Sequence, residues 1–280
     1  IKLFYPLMPN TTWRYNNTHD DGSSNFEDEL KFNEQLLTKS PNLIKSYGYL
    51  WSLPLNIYND RDIKKQHISP NLELDFTPTE FEEFKKKNIF ATIMEKGEFS
   101  FIYLKDVLAA SKRENKPVTE LTEYNNYVAC LLLHFGMGFS FLKDNEYVHL
   151  DIKPDNMMVN KFGDNNPLVI KLIDFGESKK TNMQEGDLKY INEAAHSPGM
   201  QAPETQTRPF KSSNKSDLYA AVYSLIIQMN GSDVVNSAEA IRKFITDHDI
   251  NAGVKDLLTK CLDENYRTRY DSVDLINACL

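Results

Sequence analysis

Asp151, Lys153 and Asn156 stand close together in Val148-His149-Leu150-Asp151-Ile152-Lys153-Pro154-Asp155-Asn156. A carboxylate, an ammonium and a carboxamide at this spacing suit chemistry on an anionic substrate. The carboxylate can accept a proton, the ammonium can neutralise negative charge, and the carboxamide offers a hard oxygen of the kind Mg²⁺ prefers. Further on, Leu172-Ile173-Asp174-Phe175-Gly176 supplies another carboxylate, and Ala202-Pro203-Glu204 follows it. Each residue also has an ordinary reading. Asp151 could be a turn aspartate and Asp174 a carboxylate at a strand end, and no single string is specific by itself.

These strings need elements to hold them. The first comes directly after an apolar stretch that predicts a helix over Leu121 to Lys143, and it leads into a short strand at Met157–Val159. The second closes a strand at Val169–Ile173, reached through a turn at Gly163, Asp164, Asn165 and Asn166. Helical patterns recur at residues 215–229, 237–247, 252–262 and 271–279. The beginning of the chain differs. Ile1–Phe4, Leu43–Leu50 and Ile89–Met94 have strand character, and a polar loop runs from Pro6 to Asn25. A helix is expected over Phe26 to Lys39, with Leu30, Phe32, Leu36 and Leu37 as its apolar side and Pro41 as its stop. Residues 54–88 are a polar insert containing Pro54, Pro70 and Pro78, within which Thr79 could cap a short helix, Glu80 to Lys87. A strand-rich first third before a helix-rich remainder gives an α+β class in two lobes.

Charge narrows the function. Lys plus Arg total 32 against 40 Asp plus Glu, a formal charge of -8 over 280 residues. That balance argues against broad binding to nucleic acid or to an anionic membrane. Cys130, Cys261 and Cys279 cannot make a paired disulfide framework, which favours a reducing, cytoplasmic setting. The most apolar stretch, Tyr127 to Leu142, is interrupted by His134, Gly136, Gly138 and Ser140 and falls short of the roughly 20 residues a bilayer span needs, so it reads as a buried helix. The sequence opens on Ile1 rather than Met, as if inside a gene product, and no signal peptide is visible.

Taken in order, the three strings resemble the eukaryotic-type protein kinases of the Ser/Thr branch. Those enzymes carry a His-Arg-Asp loop ending in Asn, then Asp-Phe-Gly, then Ala-Pro-Glu. The resemblance covers almost the whole chain. It implies a bilobal fold with a small antiparallel-sheet N-lobe, residues 1–97, and a mainly helical C-lobe, residues 98–280. It also implies transfer of the ATP γ-phosphate to a protein hydroxyl, with ATP and Mg²⁺ bound. Asp151 matches the carboxylate that orients the acceptor hydroxyl. Lys153 matches the lysine on the γ-phosphate, and a lysine here is the Ser/Thr signature. Asn156 and Asp174 match the Mg²⁺ ligands.

The same resemblance extends upstream. Ile1-Lys2 is similar to the end of the Val-Ala-Ile-Lys strand, making Lys2 the lysine on the α- and β-phosphates. Ser40-Pro41-Asn42-Leu43-Ile44 is similar to the family's His-Pro-Asn-Ile-Val. Glu29 is the favoured helix partner of Lys2, with Glu34 as the alternative. Met94-Glu95-Lys96-Gly97 resembles the hinge, with Met94 as gatekeeper and the backbone of Glu95 to Gly97 on the adenine, while Met158 resembles the floor of that pocket. Glu204 resembles the glutamate that pairs with a late arginine, for which Arg269 is the candidate and Arg267 the runner-up. Asp217 resembles the helix aspartate that holds the catalytic-loop backbone. Its ordinary reading is a helix N-cap, and both can hold.

Departures mark a divergent member. Leu150 replaces the arginine of His-Arg-Asp, and Met200 stands where the family has a tyrosine before Ala-Pro-Glu, whereas the glycine-rich loop, if Lys2 is the strand lysine, belongs just before Ile1. Leu150 offers no charge to an activation-segment phosphate, so activity is expected not to require one on Ser178, Thr181, Tyr190 or Ser197. The expected partner is a protein substrate with a Ser or Thr acceptor, with a regulatory protein as a further partner and no membrane span. Asn and Lys richness and the inserts suggest similarity to eukaryotic-like kinases secreted by intracellular bacteria, a host-cytosol effector, or to a protozoan kinase. A pseudokinase-like scaffold and a small-molecule phosphotransferase of kinase-like fold are the alternatives. Intact Lys2, Asp151, Asn156 and Asp174 argue against the first, and Ala202-Pro203-Glu204 with Arg269 argues against the second.

Overall fold

Apolar and aromatic residues at alternating positions build the first sheet from β1 (Lys2–Phe4), β2 (Ser46–Pro54) and β3 (Asn88–Met94). The computed structural model describes residues 2–4, 32, 36, 39–54, 88–105, 119–161, 168–180, 189–190, 200–206, 211–230 and 237–280. The sheet order is β1-β3-β2, antiparallel throughout, with Lys2 and Tyr49 both opposite Thr92. Phe32 and Leu36 are helical and buried. The rest of the helix expected at Phe26 to Lys39, and the insert residues 55–87, lie outside the described residues.

The strand expected at Leu43–Leu50 starts later, at Ser46. Leu43 and Ile44 are buried, but their backbone is engaged elsewhere. Leu43 forms a parallel bridge to Leu172, Ile44 N–H donates to Leu172 O at 3.0 Å, and Leu172 N–H donates to Asn42 O at 2.8 Å. An apolar run shows that a segment is buried without showing which sheet receives it.

After β4 (Phe99–Ser100) and a short 3-10 turn comes α1 (Thr119–Asp144). Then follow β5 (Tyr147–Val148), β6 (Met157–Lys161), β7 (Leu168–Leu172), β8 (Lys179–Lys180), β9 (Lys189–Tyr190) and β10 (Lys211–Ser212). The helices α2 (Asn214–Asn230), α3 (Ala238–Asp247), α4 (Ala252–Cys261) and α5 (Ser272–Cys279) complete the chain. Small sheets join β4-β6-β7, β5-β8 and β9-β10. The core is helical. Leu131, Leu132, Phe135 and Phe139 of α1 pack out of water, as do Leu218, Val222, Leu225 and Ile226 of α2. Each such side chain contributes roughly 1.5–3 kcal/mol through burial.

Gly136 lets α1 and α5 approach closely. A Cβ there would stand 2.8 Å from Ile276 Cγ1 and 3.2 Å from the backbone O of Ser272. Lys143 ties the same two helices by an ion pair to Asp271 at 2.9 Å. Among the described residues, no helix is long and apolar enough to cross a membrane.

The chain divides into two compact units, Ile1–Leu37 with Lys45–Glu95 and Thr38–Ile44 with Lys96–Leu280. The first carries the small antiparallel sheet and the second is mainly helical, which is the α+β, bilobal class.

Candidate active site

The loop from His149 to Asn156 is fixed from beneath by α2. Asp217 lies inside α2, not before it, so it does not cap the helix as its ordinary reading allowed. Its buried carboxylate instead accepts His149 N–H at 2.6 Å and Leu150 N–H at 3.0 Å. Leu150 is thereby held at φ 69°, a left-handed conformation uncommon for a bulky residue. Its side chain and those of Ile152, Ala202 and Ala220 line a small cavity beside Asp217.

Burial pushes the Asp217 carboxyl up to about 6, against the opposing pull of the two backbone donors, His149 N–H and Leu150 N–H. In an unfolded chain the group titrates near 3.8. The native state therefore keeps a proton that the unfolded state has released, and this contribution to stability is lost as pH rises through about 6. Asp217→Asn leaves one of the two donors facing an N–H and should cost about 1–3 kcal/mol at neutral pH. Urea unfolding of both proteins should show that gap widening as the pH falls from about 6 towards 4. A gap independent of pH would mean that Asp217 does not titrate there.

His149 is buried and links the loop to the next string. Its Nδ1 lies 3.4 Å from Asp151 N–H, so Nδ1 is the acceptor, and Nε2 carries the proton towards Ile173 O at 3.0 Å. Its ring centroid lies 4.9 Å from that of Phe175. Ile173 N–H donates to Asn156 O at 3.0 Å, and β6 pairs with β7 from Met157↔Leu172 to Lys161↔Leu168. Asp174, next in the chain, takes the left-handed conformation with φ 63° and ψ 72°. Ser178 is buried, and its hydroxyl lies 3.4 Å from His149 O.

Within the loop, Asp151 Oδ2 receives Lys153 Nζ at 2.7 Å and Asn156 Nδ2 at 2.8 Å. Asn156 Nδ2 also donates to Asp151 O at 2.8 Å. Burial pulls the Lys153 ammonium down, but the Asp151 hydrogen bond and charge, then Asp174 and Asp155, outweigh it and hold it above the ordinary lysine value. Asn156 commits its amide nitrogen to Asp151, so Oδ1 is the atom left to accept. Asn156 Oδ1 and the Asp174 carboxylate are each hard-oxygen donors of the kind a divalent cation takes.

The other expected positions fall in different places. Lys2 is in β1, and its side chain lies outside the described residues, as do Glu29 and Glu34. Met94 ends β3, half-buried, opposite Ser46. Glu95 N–H donates to Lys45 O at 2.8 Å, and its carboxylate accepts Lys45 N–H at 3.2 Å. Gly97 and Met158 touch. A Cβ on Gly97 would overlap Met158 Cε and lie 3.0 Å from its Cγ.

Glu204 and Arg269 form a two-pronged ion pair, Nη1 to Oε1 at 2.6 Å and Nη2 to Oε2 at 3.0 Å. Arg267 instead lies over the Tyr266 ring. Two contacts had no advance reading. Asn42 Nδ2 lies 2.8 Å from His134 Nδ1 and 3.1 Å from Ile170 O, and the buried Lys171 donates to Pro41 O at 3.0 Å. The Ser40-Pro41-Asn42 string marked this loop, but nothing in it named His134 or Lys171 as its anchors. Where the family has a tyrosine, Met200 brings its Sδ within 3.4 Å of Ser224 Oγ.

Residues 77–279 match the family model described as protein kinase domain. Among curated proteins, the chain is 27% identical over 175 residues to a serine/threonine-protein kinase of Drosophila melanogaster, covering 57% of this chain and 22% of that protein. It is 27% identical over 159 residues to a probable serine/threonine-protein kinase of Dictyostelium discoideum, covering 49% of this chain and 26% of that protein. The chain thus spans about a quarter of the length of these relatives.

Proposed function

The chain belongs to the protein kinase family, and on that premise we propose that it is a serine/threonine kinase acting on protein hydroxyls with Mg²⁺-ATP. Family membership implies ATP and a divalent metal ion. The choice of Mg²⁺, the Ser/Thr acceptor and the roles of individual residues belong to the proposal. The observation that carries it is the Asp151 carboxylate, bonded at once by Lys153 and Asn156 and followed by Asp174 two residues beyond the end of β7.

In this reading Asp151 orients the acceptor hydroxyl and takes its proton, and Asn156 fixes the rotamer of Asp151. Lys153 stays protonated and meets the γ-phosphate. Asn156 Oδ1 and Asp174 would hold the metal, which when bound neutralises phosphate charge. Lys2, with Glu29 as its partner, serves the α- and β-phosphates. Met94, the backbone of Glu95 to Gly97, and Met158 receive the adenine at a hinge dividing residues 1–97 from 98–280. A cytoplasmic setting is part of the same proposal.

The test is phosphate incorporation into mixed Ser-, Thr- and Tyr-containing peptides, with and without Mg²⁺ and on phosphatase-treated protein. Label on Ser and Thr, dependent on Mg²⁺ and unaffected by phosphatase, is expected. Label confined to Tyr, or no label with Mg²⁺-ATP, would overturn the reading. The adenine floor has its own test. Gly97→Ala should displace Met158 and weaken nucleotide binding about tenfold, equivalent to about 1.4 kcal/mol. Adding Met158→Ala should recover part of that loss in a nucleotide titration, because it removes the atoms that clash.

A further inference from the structure

Away from the catalytic loop, α3, α4 and the segment after α4 enclose a cavity of about 690 Å³. That is a size that accepts a ligand or large side chains. Its apolar lining comes from Ile241 and Ile245, the buried face of α3, with Leu262 and Tyr219. Thr246 and Thr259 form part of the lining on exposed positions of the two helices.

The charges around it are unequally matched. Arg242 pairs with Glu264 at 2.7 Å, and Lys260 pairs with Asp256 at 2.8 Å while its Nζ lies 5.0 Å from the Tyr270 ring centroid. Both lining cations are therefore answered by a carboxylate. Asp263 is bonded by neutral donors only, Asn265 N–H at 2.9 Å and the Thr268 hydroxyl at 2.6 Å. Those bonds first, and then the Arg269 and Arg242 charges farther off, hold its carboxyl below the usual carboxylate range. The cavity thus combines an apolar interior with one carboxylate that, among the described residues, has no cation within ion-pair distance, although Arg269 and Arg242 act on it from farther away.

We propose that this cavity docks a segment of the protein substrate that presents an aliphatic or aromatic side chain beside a Lys or Arg. The apolar side chain enters between Ile241, Ile245 and Leu262, and the cation meets Asp263. The word substrate rests on the kinase reading, whereas the pocket and its charge preference do not.

The experiment measures binding without ATP, so it stands apart from phosphoryl transfer. Short fluorescein-labelled peptides carry a Leu, Phe or Trp anchor flanked by Lys/Arg, by Asp/Glu, or by Ser alone. The whole chain should bind the basic set at least about tenfold more tightly than the acidic set, about 1.4 kcal/mol. Asp263→Asn should erase that preference and leave the Ser-flanked peptides unchanged. Thr259→Trp, which fills the cavity from an exposed position, should weaken all three sets. Thr246→Lys gives a second charge test that leaves Asp263 and its loop intact, and it should weaken the basic set selectively. Equal binding of basic and acidic peptides, indifference to Thr259→Trp, or no binding at millimolar peptide would overturn the proposal. A serine-containing peptide without the anchor should be phosphorylated equally by wild type and Thr259→Trp. Loss of transfer in both, with peptide binding intact, would count against the kinase reading and not against the pocket.

Discussion

Asp151→Asn is expected to lower kcat by about a hundred- to ten-thousandfold, the range that removal of a general base gives, while nucleotide affinity stays within a few-fold. The substitution keeps the shape of the side chain but removes the charge and the proton-accepting oxygen. It also changes what surrounds it. Lys153 loses the partner 2.7 Å away that holds its ammonium up, and Asn156 Nδ2 keeps its bond to the Asp151 backbone O. The loop should therefore keep its geometry while the chemistry fails. Asp174→Ala should behave differently, weakening binding of the metal-nucleotide complex as well as turnover, because it removes a hard-oxygen donor. Nucleotide titration alongside single-turnover phosphate incorporation separates the two. Turnover near wild type in Asp151→Asn would remove it from the chemistry, and equal loss of nucleotide affinity in both variants would merge their roles.

Much of the second unit was legible because its chemistry restricts residue type. An Asp-x-Lys-x-x-Asn string after a long apolar helix leaves few ways to place a carboxylate against an ammonium and a carboxamide. The observed contacts among Asp151, Lys153 and Asn156 follow from a loop short enough that these side chains meet locally. The helices were readable for the same reason. Apolar residues recur at helical spacing, and α1, α2, α3, α4 and α5 begin and end within a few residues of the expected limits.

What the sequence hid depends on partners distant along the chain. Leu43 and Ile44 looked like the start of a strand, but their backbone bonds go to Leu172. Asp217, expected from the resemblance to hold the catalytic-loop backbone, does so through His149 N–H and Leu150 N–H; only its alternative as a helix cap falls away, because it lies inside α2. Arg269, the expected partner of Glu204 ahead of Arg267, is the one that grips the carboxylate, while Arg267 lies over the Tyr266 ring. Leu150 shows the converse. Its lack of charge was plain from the sequence, but its left-handed backbone, fixed by Asp217, was not.

Arg269 is the other position where one substitution should have a large effect, this time on stability. Its side chain is 0% exposed and Glu204 is 9% exposed, so neither charge has water to fall back on. Four of the five guanidinium N–H donors have acceptors. Nε donates to Asp263 O at 2.7 Å, Nη1 and Nη2 grip the Glu204 carboxylate, Nη2 lies 3.3 Å from Glu264 O, and the Tyr219 ring centroid lies 4.8 Å away. Glu204 Oε1 also accepts the Ser216 hydroxyl at 2.8 Å, which ties the Ala202-Pro203-Glu204 turn to the start of α2. Removing either partner strands the other as a buried charge, so Glu204→Ala and Arg269→Ala should each cost about 3–5 kcal/mol. The double variant strands no charge and should lose clearly less than the sum, a coupling of about 0.5–3 kcal/mol in a double-mutant cycle. Arg269→Lys should not rescue the arginine. An ammonium cannot present parallel donors to Glu204 and still reach Asp263 O and Glu264 O. Urea unfolding of the four proteins, followed by tryptophan-independent circular dichroism, measures the cycle. Strict additivity would mean that the pair contributes no coupling, and the anchoring of the Ala202–Thr205 turn would then rest on Ser216 and the backbone bond from Thr205 to Ala202 alone.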